Sequence, residues 1–513
     1  MADHSLFAAL RSGFPARLDD VAIETVDGPK GPLYYTWADL DRASARIANL
    51  LDALDLEPDA RIAVHTEKCV EALMLYLGVL RSGRVYLPLN TAYQASEMAY
   101  FIDNAQPQVV VCSSHNHPWL SKIAFRAGTP YVFTLDEDIT GTLLDRAAAY
   151  PDTHRPAARQ SGDLAAILYT SGTTGRSKGA MLTHGNLLSN AQVLQRYWGW
   201  QPSDVLIHAL PIFHVHGLFV AIHGALLNGS RMIWLSKFDP KAVISRLAEA
   251  TVFMGVPTLY VRMLSESSLT KPACEHMRVF ISGSAPLLKE THQAWQERTG
   301  HVILERYGMS ETVMLTSNPY FAEHGDRVAG TVGFALPGVQ IRIRDAQGHN
   351  LSSGEIGGIE VRGPNVFKGY WQMPEKTAED FTADGWFKTG DVGQMDALGR
   401  VTIVGRSKDL IISGGYNVYP AEVESFLNEM PGVAESAVVG VAHPDFGEAV
   451  VAAVIPKPAA RLDSDSMLET LKSKIARFKV PKQLFVLEEL PRNAMGKVQK
   501  NILRDRYKSL FVG

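Results

Sequence analysis

Short apolar strands alternate with amphipathic helices over most of this chain, and that alternation limits the fold more than any other feature. LAAILY (164–169) is a continuous apolar run of strand length, and beyond Asn186 the residues Leu187, Leu188, Ala191 and Leu194 return at helical spacing. The pairing recurs at 60–65 followed by 72–80, and at 279–282 followed by a helix near 288–298. Such repetition predicts an α/β fold with helices packed on layered sheets. From 330 to 405 the texture changes to short β-type runs (VQIRIRD, IGGIEVRG, VTIVG) between Gly, Pro, Asn and Asp turns. GRSKD (405–409) is then a polar break before a compact α+β stretch, with helices at 421–429 and 466–478 and strands at 436–441 and 449–455. The expected organisation is a large N-terminal domain over 1–405, with a β-rich subdomain at about 330–405. A hinge at 406–409 and a small α+β C-terminal domain over 410–513 follow.

Composition narrows the partners. A net charge of −4 on 513 residues gives no reason to expect nucleic acid or an anionic membrane surface. Phosphate-bearing ligands must be held by local features. Cys69, Cys112 and Cys274 are scattered without CxxC spacing, which suits a reducing compartment. The first twenty residues lack the pattern of a secretory signal, and Asp3, Asp19 and Asp20 argue against an organelle-targeting leader. The most apolar run, 218–227, is far too short to span a bilayer. The expectation is a soluble cytoplasmic enzyme.

The strongest chemical signal is YTSGTTGRSKG (169–179), directly after the LAAILY strand. Glycines let backbone N–H groups approach an anion, the hydroxyls of Thr170, Ser171, Thr173 and Thr174 donate hydrogen bonds, and Arg176 and Lys178 add charge. A polyphosphate needs this combination. The spacing is not that of a Walker A loop. A solvated Gly/Ser/Thr turn is the plain alternative.

With this string the chain resembles the adenylate-forming superfamily: acyl-coenzyme A synthetases, adenylation domains of peptide synthetases, and firefly luciferase. The other motifs follow in the superfamily's order. RYGMSET (306–312) resembles the segment that stacks adenine on an aromatic ring, here Tyr307 beside Gly308 and Ser310, and presents a carboxylate, Glu311, to Mg2+. WFKTGD (386–391) resembles the ribose-binding segment, with Asp391 as the ligand; Arg406 resembles a second contact to ribose and phosphate. The resemblance implies ATP from Thr170, Ser171, Gly172, Thr173, Thr174 and Lys178 onward. It also makes Lys408 the pivot of a mobile C-terminal domain.

LPRNAMGK (490–497) resembles the loop that carries the catalytic adenylation lysine, Lys497. Carboxylate attack on the α-phosphorus brings anion to anion, so a cation aimed at those oxygens stabilises the transition state above the ground state. At ~4 Å and an effective dielectric of ~20, one such charge contributes about 4 kcal/mol. The same loop resembles sites modified in related synthetases, implying a lysine acetyltransferase that acts on Lys497. SGGYN (413–417) resembles the face that admits coenzyme A, with Ser413, Gly414 and Gly415 lining the thiol path; a tight turn is the plain alternative.

Within the superfamily the chain is most similar to the malonyl-coenzyme A synthetases, through ILYTSGTTGRSKGAMLTHGNLLSN, GVPTLYVR, ISGSAPLL, ERYGM and GPNVFKGYWQMPEKT. The implied reaction joins malonate or methylmalonate to coenzyme A. Arg262, as a buried guanidinium, would hold the second carboxylate with help from Ser282 or Ser284, Ser282 being preferred. His214, Val215 and Met314 would line the acid pocket, and His214 is also placed in the catalytic site. His214 and His216 make only a weak metal pair, packing or gating being the commoner role. FHVHG lacks the acid that holds an α-ammonium, which disfavours amino acids. Val215, Val313 and Leu315 are more apolar than their counterparts, so another short diacid or a more apolar acid stays open. A luciferase-type oxygenase and a non-catalytic nucleotide-binding protein are the readings from other classes.

Overall fold

The computed structural model describes residues 5–26, 31–170, 177–414, 416–493 and 496–511. Compactness divides the chain into one unit of Met1–Gln340 with Arg362–Phe387 and another of Ile341–Val361 with Lys388–Gly513. That line differs from the sequence expectation: part of the β-rich stretch groups with the C-terminal residues.

The first unit is built on a nine-stranded and a six-stranded sheet, counted among the described residues. In the smaller one, Tyr131–Thr134, Val109–Cys112, Arg61–His65, Val85–Pro88 and Leu164–Thr170 run parallel, and Lys178–Thr183 returns antiparallel on Leu164–Thr170. Strands covered on both faces read as unbroken apolar runs, which is why VVVC and ILY carry no alternation. The strand Lys178–Thr183 escaped the sequence reading because KGAMLT has neither alternation nor an apolar run. In that pairing Thr170 faces Lys178. The helix His184–Tyr197 begins earlier than its apolar spacing suggests, since Thr183 accepts from Asn186 N while the Asn186 side chain accepts from Thr183 N.

In the larger sheet, Val252–Gly255, Val279–Ser282 and Leu304–Met309 lie parallel and adjacent, and Val313–Ser317 folds back on Leu304–Met309. Trp295 seals one face, edge-on to Tyr260 and Phe280 at 4.9 Å each, and the Tyr260 hydroxyl donates to Ile281 O at 2.7 Å. Gly255 and Ser282 are level in the sheet, Ser282 is level with Glu305, and the third strand runs on to Met309; loops at the carboxyl ends of such strands are where open α/β sheets hold ligands.

The second unit combines a four-stranded sheet with a five-stranded one. Phe387–Met395 and Val401–Arg406 pair antiparallel with Asp391 opposite Arg406. Val433–His443 and Gly447–Pro456 form the long central hairpin of the other sheet, packed on the helix Pro420–Asn428 through Val423, Leu427, Val438 and Val450. The fold class is therefore the α/β arrangement that the alternation implied, with layered sheets followed by an α+β C-terminal part. Among the described residues no helix is long and apolar enough to cross a membrane.

Trp295→Ala removes the fully buried lid of the larger sheet and should cost about 3–5 kcal/mol. Urea unfolding followed by circular dichroism checks this; a loss below about 1 kcal/mol would mean that the aromatic cluster does not hold the sheet.

Candidate active site

The hairpin of Leu304–Met309 and Val313–Ser317 presents the RYGMSET segment. Its turn is tight enough that a Cβ on Gly308 would sit 1.9 Å from Val313 O, and Val313 itself is held at φ +55°. A β-branched residue in that region is strained, and such strain gathers where function fixes the backbone. The turn buries Glu311, whose backbone accepts from Phe367 N at 2.8 Å and whose Oε1 accepts from the Tyr370 hydroxyl at 3.2 Å. Burial and the neighbouring Glu311 raise the Tyr370 pKa, which keeps that hydroxyl a donor.

Lys178, at the start of the returning strand, completes the group. Its ammonium lies 4.1 Å from the Tyr370 ring centre and 3.4 Å from Asp380 Oδ2. A cation, an aromatic hydroxyl and a buried carboxylate thus meet beside the ends of the polar loop. Tyr370 and Asp380 were not singled out from sequence, although Tyr370 lies in the FKGYW segment that carried part of the resemblance. Thr170 is half-buried at the hairpin edge. Ser171, Gly172, Thr173 and Thr174 lie outside the described residues, as does Arg176.

A cleft beside this group is lined by Tyr93, Tyr169, Phe213, His214, Val215 and Ser310 among others. Burial lowers the His214 pKa to about 4, so its imidazole is neutral near pH 7. His216 is buried deeper, at the start of a π-helical turn, His216–Ile222; its Nδ1 lies 3.4 Å from Ser284 Oγ. Single π-helical turns often mark functional positions. Met314 and Ser282 are both fully buried, and no described residue bonds the Ser282 hydroxyl. Tyr307 is half-buried on its strand.

Arg262 is not the buried guanidinium that the sequence suggested. It is exposed on the helix Pro257–Leu264, its guanidinium 4.8 Å from the Phe238 ring centre. The helix phase explains the difference: Tyr260 and Met263 occupy the inward face, and Arg262 falls off it.

In the second unit Asp391 is buried and its Oδ1 accepts from Arg406 Nε at 2.7 Å. Lys408 is exposed, yet partial desolvation brings its pKa down to about 8; Asp409 works against that shift, while Arg406 and Lys497 add to it. Lys497 is also exposed by area while protein crowds its ammonium. That desolvation, followed by the Arg406 charge, holds it below the ordinary lysine range against the pull of Asp391 and Asp409. Backbone bonds from Asn493 N to Lys497 O (2.9 Å) and from Gly496 N to Asn493 O (2.8 Å) shape the Lys497 loop. Gly496 takes φ +73° there. Ser413 is buried, and Gly414 occupies a hairpin turn at φ +58°; Gly415 lies outside the described residues.

Among the described residues no three His, Cys, Asp or Glu side chains gather as a metal site. A buried carboxylate such as Glu311 suits a hard divalent ion whose other ligands are water and phosphate oxygens.

Comparison with known proteins places the chain in a family. A family model described as AMP-binding enzyme matches residues 16–371, and one described as AMP-binding enzyme C-terminal domain matches 422–497. The ATP-bound crystal structure of MatB from Rhodopseudomonas palustris is 52% identical with a TM-score of 0.96, covering 99% of this chain and 100% of that one. A malonate–CoA ligase of Arabidopsis thaliana is 36% identical over 479 residues, 87% of this chain and 78% of its own. A feruloyl-CoA synthase of an Amycolatopsis species is 34% identical over 486 residues, 93% and 95% of the two chains.

The buried histidines make the fold sensitive to acid. Burial depresses the pKa of His214 to about 4 and of His223 to about 3, and lowers His208 and His216 as well. The unfolded chain, with histidines near ~6.5, therefore binds more protons below neutrality. Stability is full above pH ~6.5 and is lost as pH falls toward 4. Urea midpoints measured from pH 7 to 4 should fall, and His214→Asn should flatten the slope. A wild-type midpoint constant over that range would contradict this.

Proposed function

The chain belongs to the AMP-binding enzyme family, and from that premise we infer that it is an AMP-forming acid–thiol ligase acting on malonate. It activates the acid as an acyl-adenylate with ATP and passes the malonyl group to coenzyme A. The observation that carries this reading is the meeting of Lys178, Tyr370 and Glu311, with Lys178 3.4 Å from Asp380 and the Tyr370 hydroxyl 3.2 Å from Glu311. It provides positive charge and an ion ligand next to a loop of glycines and hydroxyls.

In the first half-reaction a malonate oxygen attacks the α-phosphorus and the bond to pyrophosphate breaks. Lys178 and the 169–179 loop bind the phosphates, Tyr307 offers its ring to adenine, and Gly308 and Ser310 keep the turn close to the nucleotide. When bound, Mg2+ neutralises and orients the phosphates; Glu311, oriented by Tyr370, is the residue that would hold it. Asp391, whose Oδ1 holds Arg406, accepts from the ribose hydroxyls. Lys497 meets the charge that builds on the phosphoryl oxygens. The cleft at His214 and Val215 receives the acid, with Met314 and Ser282 behind it. Neutral His214 adds no charge to attract or repel the nucleophile.

In the second half-reaction the thiol of coenzyme A attacks the acyl carbonyl and AMP departs. Two approach paths to one reactive centre require exchange of protein parts. We assign the pivot to Lys408 within 406–409, with residues 410–513 moving so that Ser413, Gly414 and Gly415 replace the Lys497 loop. The apolar Val215, Val313 and Leu315 favour methylmalonate as an additional substrate. The lowered pKa of Lys497 raises the share of neutral amine, the form that a lysine acetyltransferase modifies. We take the cytoplasm as its compartment, on the three buried free thiols.

Lys497→Ala should abolish pyrophosphate release by a hundredfold or more while thioester formation from supplied malonyl-adenylate survives. Stopped-flow assays of the two steps check this. Equal loss in both would remove the exchange of roles.

A further inference from the structure

Two residues on one face of the helix Ala95–Ala105 have no part in the proposed chemistry, yet they hold groups that do. Tyr100 and Asn104 stand four positions apart, so their side chains share a face. The Tyr100 hydroxyl donates to Ser177 O at 2.7 Å, and Asn104 Oδ1 accepts from the Tyr169 hydroxyl at 2.5 Å. Ser177 is the residue just before Lys178, and Tyr169 the residue just before Thr170; Thr170 and Lys178 face each other across the strands. Burial, and then the neighbouring Tyr100, raises the Tyr169 pKa, which keeps that hydroxyl a donor.

Asn104 reaches further. Its backbone carbonyl accepts from the Trp371 indole at 3.1 Å, and Trp371 N donates to Gly179 O at 2.8 Å. Tyr370, one residue earlier, carries the ring beside the Lys178 ammonium and the hydroxyl that bonds Glu311. Gly179 leaves little slack: an added Cβ would come within 2.9 Å of Ile167 and 3.3 Å of Trp371. One helix face is thus bonded to the immediate neighbours of Thr170, Lys178 and Tyr370.

The helix is a firm base for this. Met98, Phe101, Ile102 and Ala105 are buried in the core of the smaller sheet, and Arg61 donates to Ala105 O at 2.9 Å and to Gln106 O at 2.8 Å. Packing does not call for the Tyr100 hydroxyl. A phenylalanine would keep the ring contacts with Phe101 at 5.5 Å and Tyr169 at 6.3 Å. The oxygen adds the hold on Ser177. Groups that must meet a ligand to within about 0.5 Å are fixed by such supports on rigid elements.

We propose that Tyr100, together with Asn104, is a positioning residue of the nucleotide site: the pair fixes Ser177 and Tyr169 from the side and so sets where the Lys178 ammonium meets the phosphates of ATP. This role rests on the reading of Lys178 as a phosphate ligand, and it lies outside every motif string. In it neither side chain touches the nucleotide; both act through Lys178 and Tyr370. A cation displaced by a fraction of an ångström loses most against a triphosphate and least against AMP, because the attraction scales with the charge it faces.

The test is calorimetric binding of ATP and of AMP to the full chain with Mg2+, for wild type, Tyr100→Phe, Asn104→Leu and the double variant. Malonate-dependent pyrophosphate release and thermal melting accompany it. Tyr100→Phe is expected to raise the ATP Kd about tenfold, the contribution of one well-placed hydrogen bond, and the AMP Kd by less than about threefold. KM for ATP should rise with the ATP Kd, KM for malonate should stay within about threefold, and Tm should stay within about 3 °C of wild type. Asn104→Leu should act in the same direction. The double variant should lose less than the product of the single losses, since both bonds hold one pair of strand ends. An ATP Kd within about threefold of wild type in Tyr100→Phe overturns the role, and so does an equal rise for ATP and AMP. A larger fall in Tm makes the bond structural and overturns it as well, and losses that multiply in full overturn the joint action of the two residues. Wild type that binds ATP but releases no pyrophosphate with malonate removes the malonate reading, while the comparison of ATP with AMP still decides the role of Tyr100.

Discussion

Forcing a carboxylate onto a polyphosphate sets anion against anion, and a catalyst of that step needs cations that are neither bare nor fully neutralised. A bare buried cation costs more than a fold can spare, yet a fully neutralised one cannot help a transition state. Provisional partners resolve the conflict. Lys178 rests 4.1 Å from the Tyr370 ring centre and 3.4 Å from Asp380, and Arg406 leans on Asp391. Each partner holds its cation in place without enclosing it. Lys497 and Lys408 are held below the usual lysine range by desolvation and by the positive charges around them.

The sheets deliver these groups with little adjustment. Parallel strands bring Gly255, Ser282 and Glu305 level, and beyond Met309 an antiparallel return positions Glu311. Ser284 and Val313 are among the described non-glycine residues with positive φ, and Gly308 has no room for a methyl group. The neutral, buried histidines at 208, 214 and 216 keep the acid end free of competing charge near pH 7. Their own acid sensitivity is the consequence.

Much of this was legible in the sequence, for identifiable reasons. Unbroken apolar runs marked the doubly covered strands, and Val279–Ser282 appears where its four residues alone suggested. The motif strings singled out Glu311, Asp391 and Lys497 because nucleotide chemistry calls for particular side chains at set spacings. Three-dimensional phase was harder to read. Arg262 was taken as buried from its place after GVPT, yet one residue of helix rotation puts it in solvent. Tyr370 and Asp380 reach Lys178 only through the fold, some two hundred positions along the chain. The line between the units depends on long-range contacts that no turn or polar break announces.

The most direct measurement of the mechanism is the fate of oxygen. With malonate carrying 18O in both carboxylates, ATP, Mg2+ and coenzyme A, attack on the α-phosphorus followed by thiolysis must leave one labelled oxygen on AMP in each turnover. Mass spectrometry of the nucleotide should find that label in AMP and none in pyrophosphate. Label in inorganic phosphate together with ADP would mean an acyl-phosphate route and would contradict the account.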